Sequence, residues 1–196
     1  MNTNNELIGS IVDMEEEMFQ AVPVAARTAC QESSRDSFRL LRECMFVTWS
    51  EKTLRSYHND LKRAVDSGEN VMTQKYALMD NLILPLSYNP LIEDIVKIEE
   101  AWIAELSERY PSLVGMGRTS EHCVGDGSES GVTYDVYRRS ELQTCSDATL
   151  DYLYEDISRA RREARNLSEE TYASIYSGLG YSSLEEAENT MRKTNS

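Results

Sequence analysis

Two similar stretches of 40 residues decide the predicted fold of this chain. Residues 38–77 read FRLLRECMFVTWSEKTLRSYHNDLKRAVDSGENVMTQKYA, and residues 134–173 read YDVYRRSELQTCSDATLDYLYEDISRARREARNLSEETYA. Aligned without a gap, they are identical at 11 of 40 positions. Unrelated segments of ordinary composition match at roughly two or three. We therefore interpret the chain as a tandem duplication.

A shorter match upstream supports the duplication and locates an insertion. LIGSIVDMEE at 7–16 and LIEDIVKIEE at 91–100 agree at six of ten positions. Their offset is 84, whereas that of the longer stretches is 96, so 12 residues are inserted between Glu100 and Tyr134. The predicted repeats cover about 6–84 and 91–180, and a C-terminal helix is predicted over about 183–193.

Apolar residues recur at helical spacing in both repeats, and strand-like alternation is nearly absent. A repeat of this size would bury only a thin core by itself. The sequence therefore predicts an all-α fold in which two four-helix repeats pack about a pseudo-twofold axis within a single domain, residues 1–196. The C-terminal helix is additional to the repeats.

Several residues are predicted to mark helix boundaries. Ser50, Asn70, Ser146 and Asn166 are residue types that favour the N-cap position, and Gly68 is typical of a helix end. The second helix is predicted to bury Leu41, and the fourth helix is predicted to extend as far as Ile83. Asp60 with Arg63, and Asp156 with Arg159, have the i,i+3 spacing that predicts surface ion pairs.

The charge of the chain limits its expected partners. The formal net charge of −14 opposes binding to nucleic acid and to anionic membrane surfaces, and it favours a protein partner with a basic surface. The N-terminal sequence lacks the basic and apolar segments of a signal peptide. None of the four cysteines forms a CxxC motif. These features together predict a cytoplasmic protein.

Three repeated pairs are not explained by caps or core packing: Glu15/Glu99, Arg42/Arg138 and Tyr76/Tyr172. The glutamates fall on apolar helix faces, where an unpaired carboxylate would be costly. We therefore expect a buried Glu–Arg pair in each repeat, with the tyrosine hydroxyl groups completing the hydrogen bonds.

Two interpretations of these pairs stay open. In one, the ion pairs only fix the register of the helices. In the other, they line a polar cleft between the repeats that binds a small charged ligand through bidentate Arg contacts. No motif specifies a reaction, a cofactor or the identity of a ligand. The alternative function is a non-catalytic interaction or scaffold protein with an acidic surface.

The segment 111–133 is the main asymmetry between the repeats, and it holds five of the nine glycines. We expect it to pack over the cleft with Arg118 facing inward; the alternative is a solvated tether. Cys30, His122 and Cys123 lack the usual spacing of metal ligands, so no tightly bound metal is predicted.

Several short motifs resemble a bacterial family, the domain-of-unknown-function family 4125. They are EMFQ at 17–20, CQ at 30–31, TW at 48–49, SY at 56–57, DL at 60–61, KYA at 75–77 and GYSSLEEAE at 180–188. The resemblance covers nearly the whole chain and implies a self-contained helical bacterial protein of the cytosol. It implies no activity.

Overall fold

The structure is a computed structural model, and it describes residues 3–22, 35–115 and 133–194. Ten α-helices lie in these ranges, and no strand does. The helices are α1 (Thr3–Gln20), α2 (Arg35–Phe46), α3 (Glu51–Asp66), α4 (Val71–Met79), α5 (Leu91–Arg109), α6 (Pro111–Gly115), α7 (Tyr134–Leu142), α8 (Asp147–Arg162), α9 (Leu167–Gly178) and α10 (Leu184–Thr194). The all-α class is confirmed.

The four predicted N-caps are confirmed. Ser50, Asn70, Ser146 and Asn166 each accept a hydrogen bond from the backbone N–H three residues ahead. Gly68 follows α3 with a φ of +71°, a conformation in which a side chain would be strained, so the predicted stop is also confirmed.

The prediction for Ile83 is wrong because α4 ends at Met79. Asn81 adopts a left-handed φ of +54°, and Leu82 N–H donates to Ala77 O at 2.8 Å, which together close the helix. The linker that follows is apolar and unusually exposed. Leu84 is 83% exposed and Tyr88 is 82% exposed.

The helices from the two halves of the chain share one hydrophobic core. Helix α1 packs against α2, α3 and α4, and α5 packs against α7, α8 and α9. Between the halves, α2 packs against α9, α4 against α7, and α3 against α8. The core cluster includes Ile11 and Leu54 from the first half together with Ile95 and Leu150 from the second.

Asp60 pairs with Arg63 and Asp156 with Arg159, as the i,i+3 spacing predicted, but both aspartates are buried, which a surface pair would not be. Each carboxylate also accepts hydrogen bonds at the start of a helix in the other half. Asp156 Oδ2 accepts from Ser50 N at 2.9 Å and from Thr53 Oγ1 at 2.6 Å. Asp60 Oδ2 accepts from Ser146 N at 3.0 Å and from Thr149 Oγ1 at 2.6 Å. The two aspartates thus join α3 and α8 reciprocally.

The C-terminal helix packs against the short helix α6. Buried Glu188 on α10 accepts hydrogen bonds from the backbone N–H groups of Ser112 and Leu113 at the start of α6. Residues 111–115 form helix α6, although the sequence predicted a loop there. The prediction that Arg118 faces the cleft falls outside the described residues. Within the described ranges, none of the helices is long and apolar enough to cross a membrane.

Candidate functional site

Two buried Glu–Arg pairs are present, as the sequence predicted. Arg42 donates to both carboxylate oxygens of Glu15, with Nε–Oε2 at 2.7 Å and Nη2–Oε1 at 2.5 Å. Arg138 donates in the same way to Glu99, at 2.7 Å and 2.9 Å. Glu15 is 0% exposed and Glu99 is 9% exposed. Helices α1 and α2 hold the first pair, and α5 and α7 hold the second.

Glu141 on α7 joins the two pairs into one network. Its Oε1 accepts from Arg42 Nη1 at 2.6 Å and from Lys75 Nζ at 2.8 Å, and its Oε2 accepts from Arg138 Nη1 at 2.5 Å. We call the six side chains of Glu15, Arg42, Lys75, Glu99, Arg138 and Glu141 the ionic cluster. With three carboxylates and three cations, its formal charge is zero.

The cations of the ionic cluster keep Glu141 ionised. Burial by itself would raise the pKa of this carboxyl, but Arg42, Lys75 and Arg138 outweigh burial and hold the pKa well below its usual range. Burial likewise opposes the charge on both guanidinium groups, yet the glutamates beside them raise the pKa of Arg42 and of Arg138. Arg42, Arg138 and Glu141 are therefore charged at neutral pH.

Two tyrosines complete the hydrogen bonds, but they are not the repeated pair. Tyr57 OH donates to Glu15 Oε1 at 2.7 Å, and Tyr134 OH donates to Glu99 Oε2 at 3.1 Å. Burial, and then the neighbouring glutamate, raises the pKa of each phenol well above its ordinary value. The expectation that Tyr76 and Tyr172 fill this role is wrong; their side chains line the cavity beside the cluster.

A cavity of about 600 Å³ lies beside the ionic cluster, and both halves of the chain line it. Of the predicted site residues, Arg42, Arg138, Glu99, Tyr76 and Tyr172 line it, together with Lys75 and Glu141. Glu15 is not among the lining residues, because it lies fully buried behind Arg42. The volume is in the range of sites that bind small organic molecules.

Apolar and aromatic side chains make most of the cavity wall. Phe19, Phe38, Tyr134 and Tyr137 contribute aromatic surface, and both tryptophans of the chain, Trp49 and Trp102, also line it. Leu41 lines the cavity as well and is 47% exposed, so the prediction that it is buried in the core is wrong. The polar part of the cavity is confined to the ionic cluster and a few hydroxyl groups.

Sequence comparison of the repeats missed Glu141, Lys75, Tyr57 and Tyr134 because it selected only repeated residues. The positions aligned with them in residues 38–77 and 134–173 are occupied by different residue types, Met45, Thr171, Leu153 and Phe38. One signal was available: Glu141 follows Arg138 by three residues, so both side chains lie on the same face of a helix.

Among the described residues, no group of three or more His, Cys, Asp or Glu side chains is arranged to hold a metal ion. Cys30, His122 and Cys123 fall outside those residues. The prediction that no metal binds to them therefore stays a prediction.

These features define an all-α protein in which a neutral ionic cluster is buried beside an aromatic-lined cavity. The family model described as "Protein of unknown function (DUF4125)" matches residues 5–189, so the chain belongs to this family. Comparison with curated proteins and with solved structures gave no match.

Proposed function

We propose that this protein binds a small organic molecule in the cavity between its two halves. The apolar part of the molecule contacts the aromatic wall, and its polar group contacts the ionic cluster. The observation that carries the proposal is that five buried charged side chains, Arg42, Lys75, Glu99, Arg138 and Glu141, line an open volume of about 600 Å³. Ion pairs that served only to fix helix register would not need open space beside them.

The proposed architecture is a tandem duplication within one domain, packed about a pseudo-twofold axis. Its support is reciprocal contact: α2 packs against α9 as α4 packs against α7. The cross-half hydrogen bonds of Asp60 and Asp156 are reciprocal in the same way. The axis would pass near the contact between α3 and α8, which are the same helix in the two repeats.

The proposed ligand is not held by a bidentate Arg contact. Each guanidinium group already directs its Nε and Nη2 atoms to a glutamate, Arg42 to Glu15 and Arg138 to Glu99. A ligand therefore meets the remaining N–H groups of the ionic cluster. Contact with these N–H groups takes the place of the bidentate Arg contact to a charged ligand that the sequence suggested.

The test is binding of the uncharged fluorescent probe N-phenyl-1-naphthylamine. Thr171 lines the cavity, and a Thr171→Trp substitution places a large side chain there. Thr190→Trp, at an exposed position on α10, is a matched control, because both threonine hydroxyls donate to the carbonyl four residues back, at 2.9 Å. We expect wild type and the control to bind the probe equally and Thr171→Trp to bind about tenfold more weakly or not at all. Absence of binding to wild type, or equal binding to all three proteins, contradicts the proposal.

A second candidate function, binding to another protein, is favoured by the exposed linker between α4 and α5. Leu82, Leu84, Leu86 and Tyr88 are all exposed, and large apolar side chains that cluster at a surface are typical of interaction sites. The net charge of −14 favours a basic rim on the partner. A photo-crosslinking amino acid at position 84 should then give one discrete adduct in cells, whereas one at exposed Val65 should not. The same adducts from both positions would count against this candidate.

A further inference from the structure

We infer that the ligand of the cavity is an uncharged aromatic or aliphatic molecule whose polar group accepts a hydrogen bond from Lys75. An amide or ketone carbonyl has the required chemistry. This inference rests on the proposed function and specifies the class of molecule bound.

The charge balance of the ionic cluster excludes a strongly bound anion. The three carboxylates and three cations sum to zero, and each cation already contacts at least one carboxylate. A carboxylate ligand would lose its hydration on entering the aromatic cavity, and no uncompensated positive charge would meet it there. Glu99 and Glu141 also line the cavity and would repel it.

Among the described residues, every carboxylate oxygen of the ionic cluster has a hydrogen-bond partner, whereas some of its N–H groups do not. All six carboxylate oxygens accept at least one hydrogen bond. Arg138 uses three of its five N–H groups, and Lys75 directs one of its three to Glu141. The other N–H groups of these two side chains have no acceptor atom among the described residues. A buried N–H without an acceptor is unfavourable, so a ligand that brings an acceptor gains affinity.

Lys75 is the donor best placed for this contact. It is 3% exposed and lines the cavity, and its Nζ lies 3.7 Å from the centroid of the Tyr137 ring. Contact with the ring and with Glu141 holds the ammonium group in one position. One N–H group is then left for the ligand. Thr171, which occupies the equivalent position of the second repeat, also lines the cavity but carries no charge.

The experiment compares three probes of similar shape: 4-phenylbutanamide, 4-phenylbutanoate and butylbenzene. Affinities are measured by calorimetry at pH 7 for wild type, Lys75→Met and Lys62→Met. In wild type we expect the amide to bind at least about tenfold more tightly than the carboxylate. Lys75→Met should lose about tenfold in affinity for the amide and keep its affinity for butylbenzene. Lys62→Met is the matched control, because Lys62 is exposed and does not line the cavity, and it should behave as wild type with all three probes.

The outcomes separate this inference from the proposed function. Tighter binding of the carboxylate than of the amide overturns the inference, and this comparison needs only the wild-type protein. Equal affinity of wild type and Lys75→Met for the amide overturns the assignment to Lys75. If none of the three probes and no N-phenyl-1-naphthylamine binds to wild type, the proposed function itself fails.

Discussion

Glu141 determines the charge balance of the ionic cluster, because three cations share its carboxylate. Arg42 and Lys75 donate to one oxygen, and Arg138 donates to the other. Removing this carboxylate leaves two glutamates facing three buried cations. Removing Lys75 at the same time restores equal numbers of positive and negative charges. The two residues are therefore expected to be strongly coupled in stability.

The coupling is tested with a double-mutant cycle. Glu141→Met introduces methionine, the residue type found at the aligned position, Met45. We expect it to lower the free energy of unfolding by about 3–5 kcal/mol, because a buried charge is left uncompensated. The double variant Glu141→Met/Lys75→Met should be more stable than Glu141→Met, as measured by urea denaturation. Additive losses of stability from the two substitutions would contradict the coupling.

The lowered pKa of Glu141 predicts how the free energy of unfolding depends on pH. Above the ordinary glutamate pKa of 4.5, the carboxyl is ionised in both states and its contribution to stability is complete. As the pH falls below that value, the unfolded chain binds the proton first, so the free energy of unfolding falls.

Glu141→Gln should therefore show a shallower loss of stability than wild type between about pH 4.5 and pH 3. Glu108→Gln is the control, since Glu108 is exposed and lies outside the ionic cluster, and it should follow the wild-type slope. Identical slopes for all three proteins would mean that the charge of Glu141 does not stabilise the fold.

Sequence reasoning found four of the six residues of the ionic cluster for a physical reason. A charged residue on an apolar helix face requires a partner, which correctly indicated the Glu15–Arg42 and Glu99–Arg138 pairs. Lys75 and Glu141 were missed because they meet between helices α4 and α7, from different halves of the chain, and the helical pattern of one segment carries no information about such a contact. Comparison of the two aligned stretches detects only the residues that both contain, whereas the cavity is lined partly by residues that differ between them.

At the scale of helices, the reciprocal aspartates link the start of α3 to α8 and the start of α8 to α3. Each aspartate receives a backbone N–H group and a threonine hydroxyl from the opposite half. Each also pairs with an arginine three residues along its own helix, Arg63 or Arg159. These arginines are largely exposed. We therefore expect the hydrogen bonds between the halves to contribute more to stability than the Asp–Arg ion pairs.

Substitution of either aspartate should show this difference. Asp156→Ala and Asp60→Ala should each lower the free energy of unfolding by about 1–3 kcal/mol, because a buried threonine hydroxyl and a partly buried N–H group lose their acceptor. Arg159→Ala and Arg63→Ala should each cost less than about 1 kcal/mol, the usual limit for an exposed ion pair. Urea denaturation of the four variants measures the difference. Equal losses from the aspartate and arginine substitutions would show that the surface pairs dominate.

The helix boundaries that sequence predicted correctly are those determined locally. The N-cap bonds of Ser50, Asn70, Ser146 and Asn166 involve residues three positions apart, so a short stretch of sequence contains the whole interaction. The end of α4 was misplaced because Asn81, with a left-handed φ, ends it in place of a glycine. The burial of Asp60 and Asp156 depends on packing between α3 and α8, which the i,i+3 spacing does not report.

At the scale of the whole molecule, the shared core predicts a single cooperative unfolding transition. Trp49 lies in the first half and Trp102 in the second, so Trp49→Phe and Trp102→Phe each leave one fluorescent reporter. We expect each remaining tryptophan to report the same denaturation midpoint as circular dichroism of the same variant. Midpoints that differ between fluorescence and circular dichroism would show that the halves unfold separately.

The most direct test of the cavity as a ligand site also uses the two tryptophans, since both line it. In protein labelled with ¹⁵N at tryptophan, each indole N–H group gives one NMR signal. Titration with 4-phenylbutanamide should shift both signals in a saturable manner, because both rings line the cavity that the probe enters. If both signals stay in place at saturating probe, the cavity does not bind this class of molecule, and the proposed ligand site is contradicted.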